Sequence, residues 1–158
     1  MNGNTYLPWR NNGTLVGTPV ITSPASDTAL LQSPGQTYSA TVFVGAANTS
    51  TLRIVQSAAS SDAFNEDVAL SGRISGGPIS TVYKTNVIVG ATTVTVMASD
   101  VSSGGDSGGP WLQTYSGTGN VKAKGQHLGI VYYDGAWRSA YVPVVRISSH
   151  VSASILTQ

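Results

Sequence analysis

Short runs of Val, Ile, Thr and Tyr, each bounded by Gly, Pro, Asn or Ser, recur along the whole chain. That is the strand-and-turn rhythm of a β-barrel or β-sandwich. Strands are predicted at 14–22, 28–32, 39–45, 51–57, 67–72, 79–89, 92–98, 109–115, 121–133 and 137–144. The alternating pairs Val87/Val89 and Val94/Val96 flank Gly90–Ala91, which marks a hairpin. One segment breaks the rhythm. Val144, Ile147, Val151 and Ile155 recur at three- or four-residue steps with serines on the other face, so the chain is expected to end on an amphipathic helix. Residues 58–66 form the most polar interval and read as a connector.

Composition narrows the class. Charged residues make up 9% of the 158 positions, against roughly a quarter in an average soluble protein. With 41% hydrophobic residues the chain is too apolar and too weakly charged to stay disordered. A net charge of +1 gives no field that would hold nucleic acid or an anionic membrane surface. No apolar stretch approaches the roughly 20 residues needed to span a bilayer. The absence of cysteine excludes a disulfide framework and a thiolate zinc site. A metal site would have to rest on His127, His150 and scattered carboxylates, so neither a metal nor another cofactor is expected. The Ser-, Thr-, Asn- and Gly-rich surface suggests an extracellular protein. Residues 1–20 lack a signal peptide's basic start and apolar run, so any export signal is expected outside this sequence.

The most specific feature is Gly-Gly-Asp-Ser-Gly-Gly-Pro at 104–110. As the nucleophile loop of a serine hydrolase, each position has a physical task. Ser107 supplies the attacking hydroxyl, and the N–H groups of Gly105 and Ser107 form an oxyanion hole. Glycine at 105 lets its N–H turn inward, while Gly108–Gly109 let a strand leave close behind the serine. Asp106 is expected to turn inward, where its carboxylate needs a partner. A seven-residue match is far more specific than a three-residue pattern, which sets this reading above an ordinary glycine-rich turn.

The motif resembles that of chymotrypsin-like serine proteases, most closely their bacterial streptogrisin and α-lytic protease branch. The likeness extends to VALSGRISG (68–76), GIVYYDG (129–135), AYVPVVRISSHVSASIL (140–156) and SDTALL (26–31), with residues 6–22 resembling the strands before it. It implies an all-β double barrel with an incomplete first barrel, a complete second barrel and a short C-terminal helix. Residues 1–40 would be the remnant of the first barrel, 41–66 the connection and 67–158 the second barrel with its helix. It further implies a serine endopeptidase acting on polypeptides through an acyl-enzyme on Ser107, with Asp27 orienting a histidine. Val101, Ser102 and Ser103 align with the floor of the specificity pocket, and Tyr132, Tyr133 and Asp134 with its wall. No carboxylate aligns with the floor, so an apolar or small side chain is expected before the scissile bond. Tyr132 stands where the family has a serine bonded to the triad aspartate. Leu70 stands where the branch has an arginine paired with the motif's aspartate; Arg73 is either the replacement or an ordinary exposed turn residue. Trp9, Trp111 and Trp137 are expected to pack in the core and cleft.

The resemblance also exposes a gap. The mechanism needs an imidazole as general base, in an Ala-His or Gly-His signature upstream of Asp27, and no histidine stands there. His127 reads as an ordinary sheet residue and His150 as a solvated helix residue. The favoured expectation is a truncated endopeptidase, inactive alone, whose missing N-terminal segment carries the base. The alternative is a non-catalytic pseudoprotease or β-rich binding module completed by a partner chain that covers an open barrel edge. Loss of the base alone lowers turnover about a million-fold in subtilisin-type knockouts.

Overall fold

The computed structural model describes residues 9–11, 14–33, 35, 37–115 and 117–158, with side chains from Gly17 onward. Among these, the strands in chain order are β1 (Trp9–Asn11), β2 (Thr14–Ser23), β3 (Thr28–Gln32), β4 (Thr41–Phe43), β5 (Leu52–Ala58) and β6 (Asp67–Leu70). They continue as β7 (Ile79–Val89), β8 (Thr92–Met97), β9 (Pro110–Thr114), β10 (Val121–Tyr133) and β11 (Ala136–Pro143), followed by helix α1 (Val144–Val151). The Val-, Ile-, Thr- and Tyr-rich runs located β2 to β11 to within two residues at either end, the usual spread at strand termini. No such run marked β1, which is too short to form one.

Strands β6 to β11 close on themselves. They hydrogen-bond in the order β11-β8-β7-β6-β9-β10, and β10 pairs again with β11. Every one of these pairings is antiparallel. Closure leaves no free edge among the six strands and encloses an apolar interior. Val68, Leu70, Val82, Met97, Trp111 and Tyr141 form one buried cluster, and Val94, Val96, Ala140 and Val142 a second. Trp111 has the expected core role, stacked on Tyr141 at 5.5 Å between ring centres. Trp137 differs: it is 60% exposed and meets Tyr132 edge-on. The side chain of Trp9 lies outside the described residues.

The other strands are arranged less completely. β5 runs parallel to β10 along Val121–Ala123 and carries β4 on its outer side. β1, β2 and β3 form a separate three-stranded antiparallel sheet in which β1 and β3 each have one neighbour among the described residues. This small sheet falls within the 1–40 segment expected to be a partial barrel.

Helix α1 packs on β10 and β11 and also touches β2 and β3. Val144 and Val151 are buried, and Ile147 packs against the second cluster. The helix stops short of the apolar stripe's last member, Ile155. Ser152 takes a left-handed conformation at φ 51°, and the chain leaves the helix there.

The polar connector 58–66 is fastened to the barrel by a buried charge. Lys124 on β10 is 1% exposed, with Nζ 2.7 Å from Glu66 Oε2 and 3.0 Å from Asp62 Oδ1. It also donates to the Ser61 carbonyl at 3.0 Å. Removing one partner of such a group leaves uncompensated charge in the interior. Lys124→Ala should therefore lower unfolding free energy by about 3–5 kcal/mol in urea melts. A loss below about 1 kcal/mol would show that the connector is held by other contacts.

Candidate active site

The nucleophile loop is organised around Asp106, which is 1% exposed. Its Oδ1 accepts the N–H of Ile74 at 2.7 Å and of Ser75 at 3.3 Å, and Oδ2 accepts the N–H of Ser103 at 2.9 Å. The 72–76 turn that supplies two of these donors is pinched by Gly72 and Gly76, which exchange backbone hydrogen bonds of 2.7 and 3.1 Å. Gly72 lies against the carboxylate: a Cβ there would stand 2.7 Å from Asp106 Cγ. Burial pushes the Asp106 pKa up, but the Ser75 side chain and the Ile74, Ser103 and Ser75 amides outweigh it and bring it down to about 2. The partner of Asp106 is therefore the backbone of the turn and not the arginine within it. Arg73 is exposed and forms no ion pair with Asp106, while Leu70 is buried in the barrel core.

With the carboxylate fixed, the chain folds back around it. The Asp106 N–H donates to the Ser103 carbonyl at 3.1 Å, and the Gly109 N–H donates to the Asp106 carbonyl at 2.8 Å. The loop is tied to β10 by Gly108 N–H to His127 O at 2.9 Å and His127 N–H to Gly109 O at 2.8 Å. Gly105 and Gly108 have φ of 106° and 84°, a region that favours glycine. Ser107 is left exposed at the tip. Its hydroxyl and N–H, and the N–H of Gly105, have no hydrogen-bond partner among the described residues. A nucleophile candidate and the two expected oxyanion donors are thus free for a ligand.

Ser107 borders two clefts. One, of about 610 Å³, is also lined by Asp27, Thr28, Leu31 and Gln126. The other, of about 560 Å³, is lined by Phe43, Ser71, Arg73 and Gly105. The structure therefore brings Ser107 and Asp27, 80 positions apart in sequence (107 − 27), to the same cleft. Asp27 sits in the β2–β3 turn at φ 47°, is exposed, and its carboxylate has no hydrogen-bond partner among the described residues.

Neither histidine serves this cleft as a base. His127 contributes to its wall but is 3% exposed. Its Nδ1 accepts the Trp111 indole N–H at 3.3 Å. Burial pushes its pKa down, against the pull of Asp106 and Asp100. It is a neutral, occupied sheet residue. His150 is exposed on α1 and lines a different cleft.

None of the expected pocket residues is in the lining of the two clefts that Ser107 borders, though Ser103 bonds Asp106, which lines one of them. Val101 packs against the first core cluster, and its N–H donates to Ser139 Oγ at 3.0 Å. Ser102 donates to Asp100 Oδ1 through its N–H at 3.1 Å and its hydroxyl at 3.0 Å, and Ser139 donates to the same oxygen at 2.9 Å. Asp100 thus gathers three donated hydrogen bonds from Ser102 and Ser139 beside the expected pocket floor. Ser103 serves the Asp106 cradle. Tyr132 is 64% exposed, Tyr133 packs edge-on to Tyr83, and Asp134 accepts the Tyr83 hydroxyl. Arg138 lies between the two groups, donating from Nε to the Tyr133 carbonyl at 3.1 Å and from Nη1 to the Ala98 carbonyl.

Sequence reasoning missed Gly72, Ile74 and Ser75 as the support of Asp106, because the search was for a cation. The available signal was the glycine spacing in Ser-Gly-Arg-Ile-Ser-Gly-Gly, which marks a tight turn with inward amides.

No family model matches this chain, and neither does any curated protein. Solved structures do. A glutamic-acid-specific serine protease that uses a histidine triad in substrate binding matches with a TM-score of 0.71 at 24% identity, over 91% of this chain and 75% of that one. Cellulomonas bogoriensis chymotrypsin matches at 0.69 and 21%, over 90% and 76%. Thermobifida fusca protease A matches at 0.67 and 22%, over 90% and 75%. The fold is therefore that of the chymotrypsin-like serine proteases, as the sequence resemblance implied.

Two measurements test the Asp106 cradle. Gly72→Ala forces a methyl group onto the carboxylate, so unfolding free energy should fall by about 1–3 kcal/mol; an unchanged urea midpoint would contradict the packing. Because the folded-state pKa is depressed, Asp106 stabilises the fold fully above its unfolded value near 4 and loses that contribution as pH falls toward 2. The wild type should lose on the order of 2 kcal/mol more than Asp106→Asn between pH 5 and about 2. Parallel pH profiles would contradict the assignment.

Proposed function

We propose that this chain is the catalytic portion of an extracellular serine endopeptidase. The observation that carries the reading is the placement of an unpartnered Ser107 hydroxyl, beside two free N–H donors, in one cleft with Asp27. The fold likeness to three serine proteases supports the same chemistry. In this reading Ser107 Oγ attacks the carbonyl carbon of a peptide bond while its proton passes to an imidazole base. The resulting oxyanion takes hydrogen bonds from the N–H groups of Gly105 and Ser107. The imidazolium then protonates the departing amine, which leaves an ester on Ser107, and water, deprotonated by the same base, hydrolyses it. Asp27 orients the imidazole and stabilises its charged form.

The base is an imidazole that neither His127 nor His150 supplies. It reaches the Asp27–Ser107 cleft on a further segment or on a partner chain. The exposed Phe43, Leu52 and Ile54 on β4 and β5, with the single-sided β3, are the surfaces such a segment would cover.

Free imidazole offers a direct test, because the 610 Å³ cleft has room for it. A fluorophosphonate should label the 158-residue chain slowly, and imidazole should raise the rate at least tenfold in a saturable way. Ser107→Ala should abolish the labelling, and Asp27→Ala should remove most of the acceleration. Labelling that stays absent with imidazole, or that persists in Ser107→Ala, would favour a non-catalytic binding module.

A further inference from the structure

A third cleft, of about 450 Å³, opens away from Ser107 between the connector, the middle of β7 and helix α1. Arg146 and His150, one helical turn apart on α1, both line it. Neither has an ion pair or hydrogen bond among the described residues. The acidic residue in the lining, Asp62, is not their counter-ion. Its Oδ1 lies 3.0 Å from Lys124 and its Oδ2 accepts the Thr95 hydroxyl at 2.6 Å. Glu66 behind it is likewise bound to Lys124.

The opposite wall carries an irregularity that points the same way. On β7, Lys84 pairs with Val96 and Val87 pairs with Val94, so β7 holds one residue more than β8 between these pairs. This is a β-bulge, and Asn86 within it takes φ 56°. The bulge sets Asn86 at the cleft, where its side-chain amide has no partner among the described residues. Bulges and left-handed polar residues recur where a side chain has been re-aimed toward a ligand. Ser60, Ser61 and Ser149 add hydroxyl donors to the rim.

We propose that this cleft binds an oxyanion, the shared chemistry of a phosphate and a carboxylate group. The Arg146 guanidinium fork holds two of its oxygens, and His150, the Asn86 amide and the serine hydroxyls complete the donor set. The site is independent of Ser107 and of the catalytic reading.

The test is a titration of the 158-residue chain with inorganic phosphate and, separately, with acetate, at constant ionic strength, followed by amide NMR shifts and thermal melting. Saturable shifts centred on Arg146, His150 and Asn86 are expected, with a rise in melting temperature. Arg146→Ala should weaken binding at least tenfold, and Arg146→Lys less, because it keeps the charge and loses the fork. Both variants change an exposed side chain, and circular dichroism verifies their fold. Response to phosphate alone assigns a phosphate site, to acetate alone a carboxylate site. Equal responses in wild type and Arg146→Ala, or shifts reproduced by sodium chloride, would overturn the proposal.

Discussion

A carboxylate with no cation paired to it among the described residues organises the glycine-rich loop at 104–110. Burying Asp106 removes a charge from water, which is costly unless hydrogen bonds replace its hydration. Here the replacement comes from backbone N–H groups of two separate segments, Ser103 in its own loop and Ile74–Ser75 in the glycine-pinched turn after β6. Because these donors belong to the backbone, satisfying the charge also fixes two chain segments relative to each other. The exposed position of Ser107 follows. With Asp106 held inward and Gly108 and Gly109 tied across to His127 on β10, Ser107, between Asp106 and Gly108, is presented outward with its donors unspent.

The surrounding architecture divides, among the described residues, into a closed barrel and a separate three-stranded sheet. The six strands β6 to β11 close, bury two apolar clusters and carry the nucleophile loop between β8 and β9. The sheet carrying Asp27 has three strands and meets the barrel through α1 among other contacts. Ser107 is thus held by a closed barrel, while Asp27 rests on a sheet of three strands among the described residues, and the two meet at one cleft.

Much of this was legible in the sequence, for identifiable reasons. Runs of β-branched and aromatic residues between turn formers located β2 to β11, and alternation marked the hairpin at Gly90–Ala91. The Gly-Gly-Asp-Ser-Gly-Gly-Pro segment carried the loop, because glycine is needed where φ turns positive at Gly105 and Gly108. Less legible were features that depend on long-range geometry. The Asp106 cradle uses amides, which every residue owns, so no residue type advertised it. Lys124 alternates like any strand residue, and only the fold shows it neutralised by Asp62 and Glu66. The bonds that hold Val101, Ser102 and Tyr133, to Ser139, Asp100 and Arg138, likewise appear only in the fold.

The central claim is that the Asp106 cradle presents Ser107 together with two oxyanion donors. A crystal structure of the chain after reaction with a phosphonate inhibitor in the presence of imidazole tests it most directly. The account predicts phosphorus bonded to Ser107 Oγ, with a phosphoryl oxygen about 2.7–3.1 Å from the N–H groups of both Gly105 and Ser107. Asp106 should still accept from Ile74, Ser75 and Ser103. An adduct on another residue, or a phosphoryl oxygen that faces solvent with either N–H turned away, would contradict it.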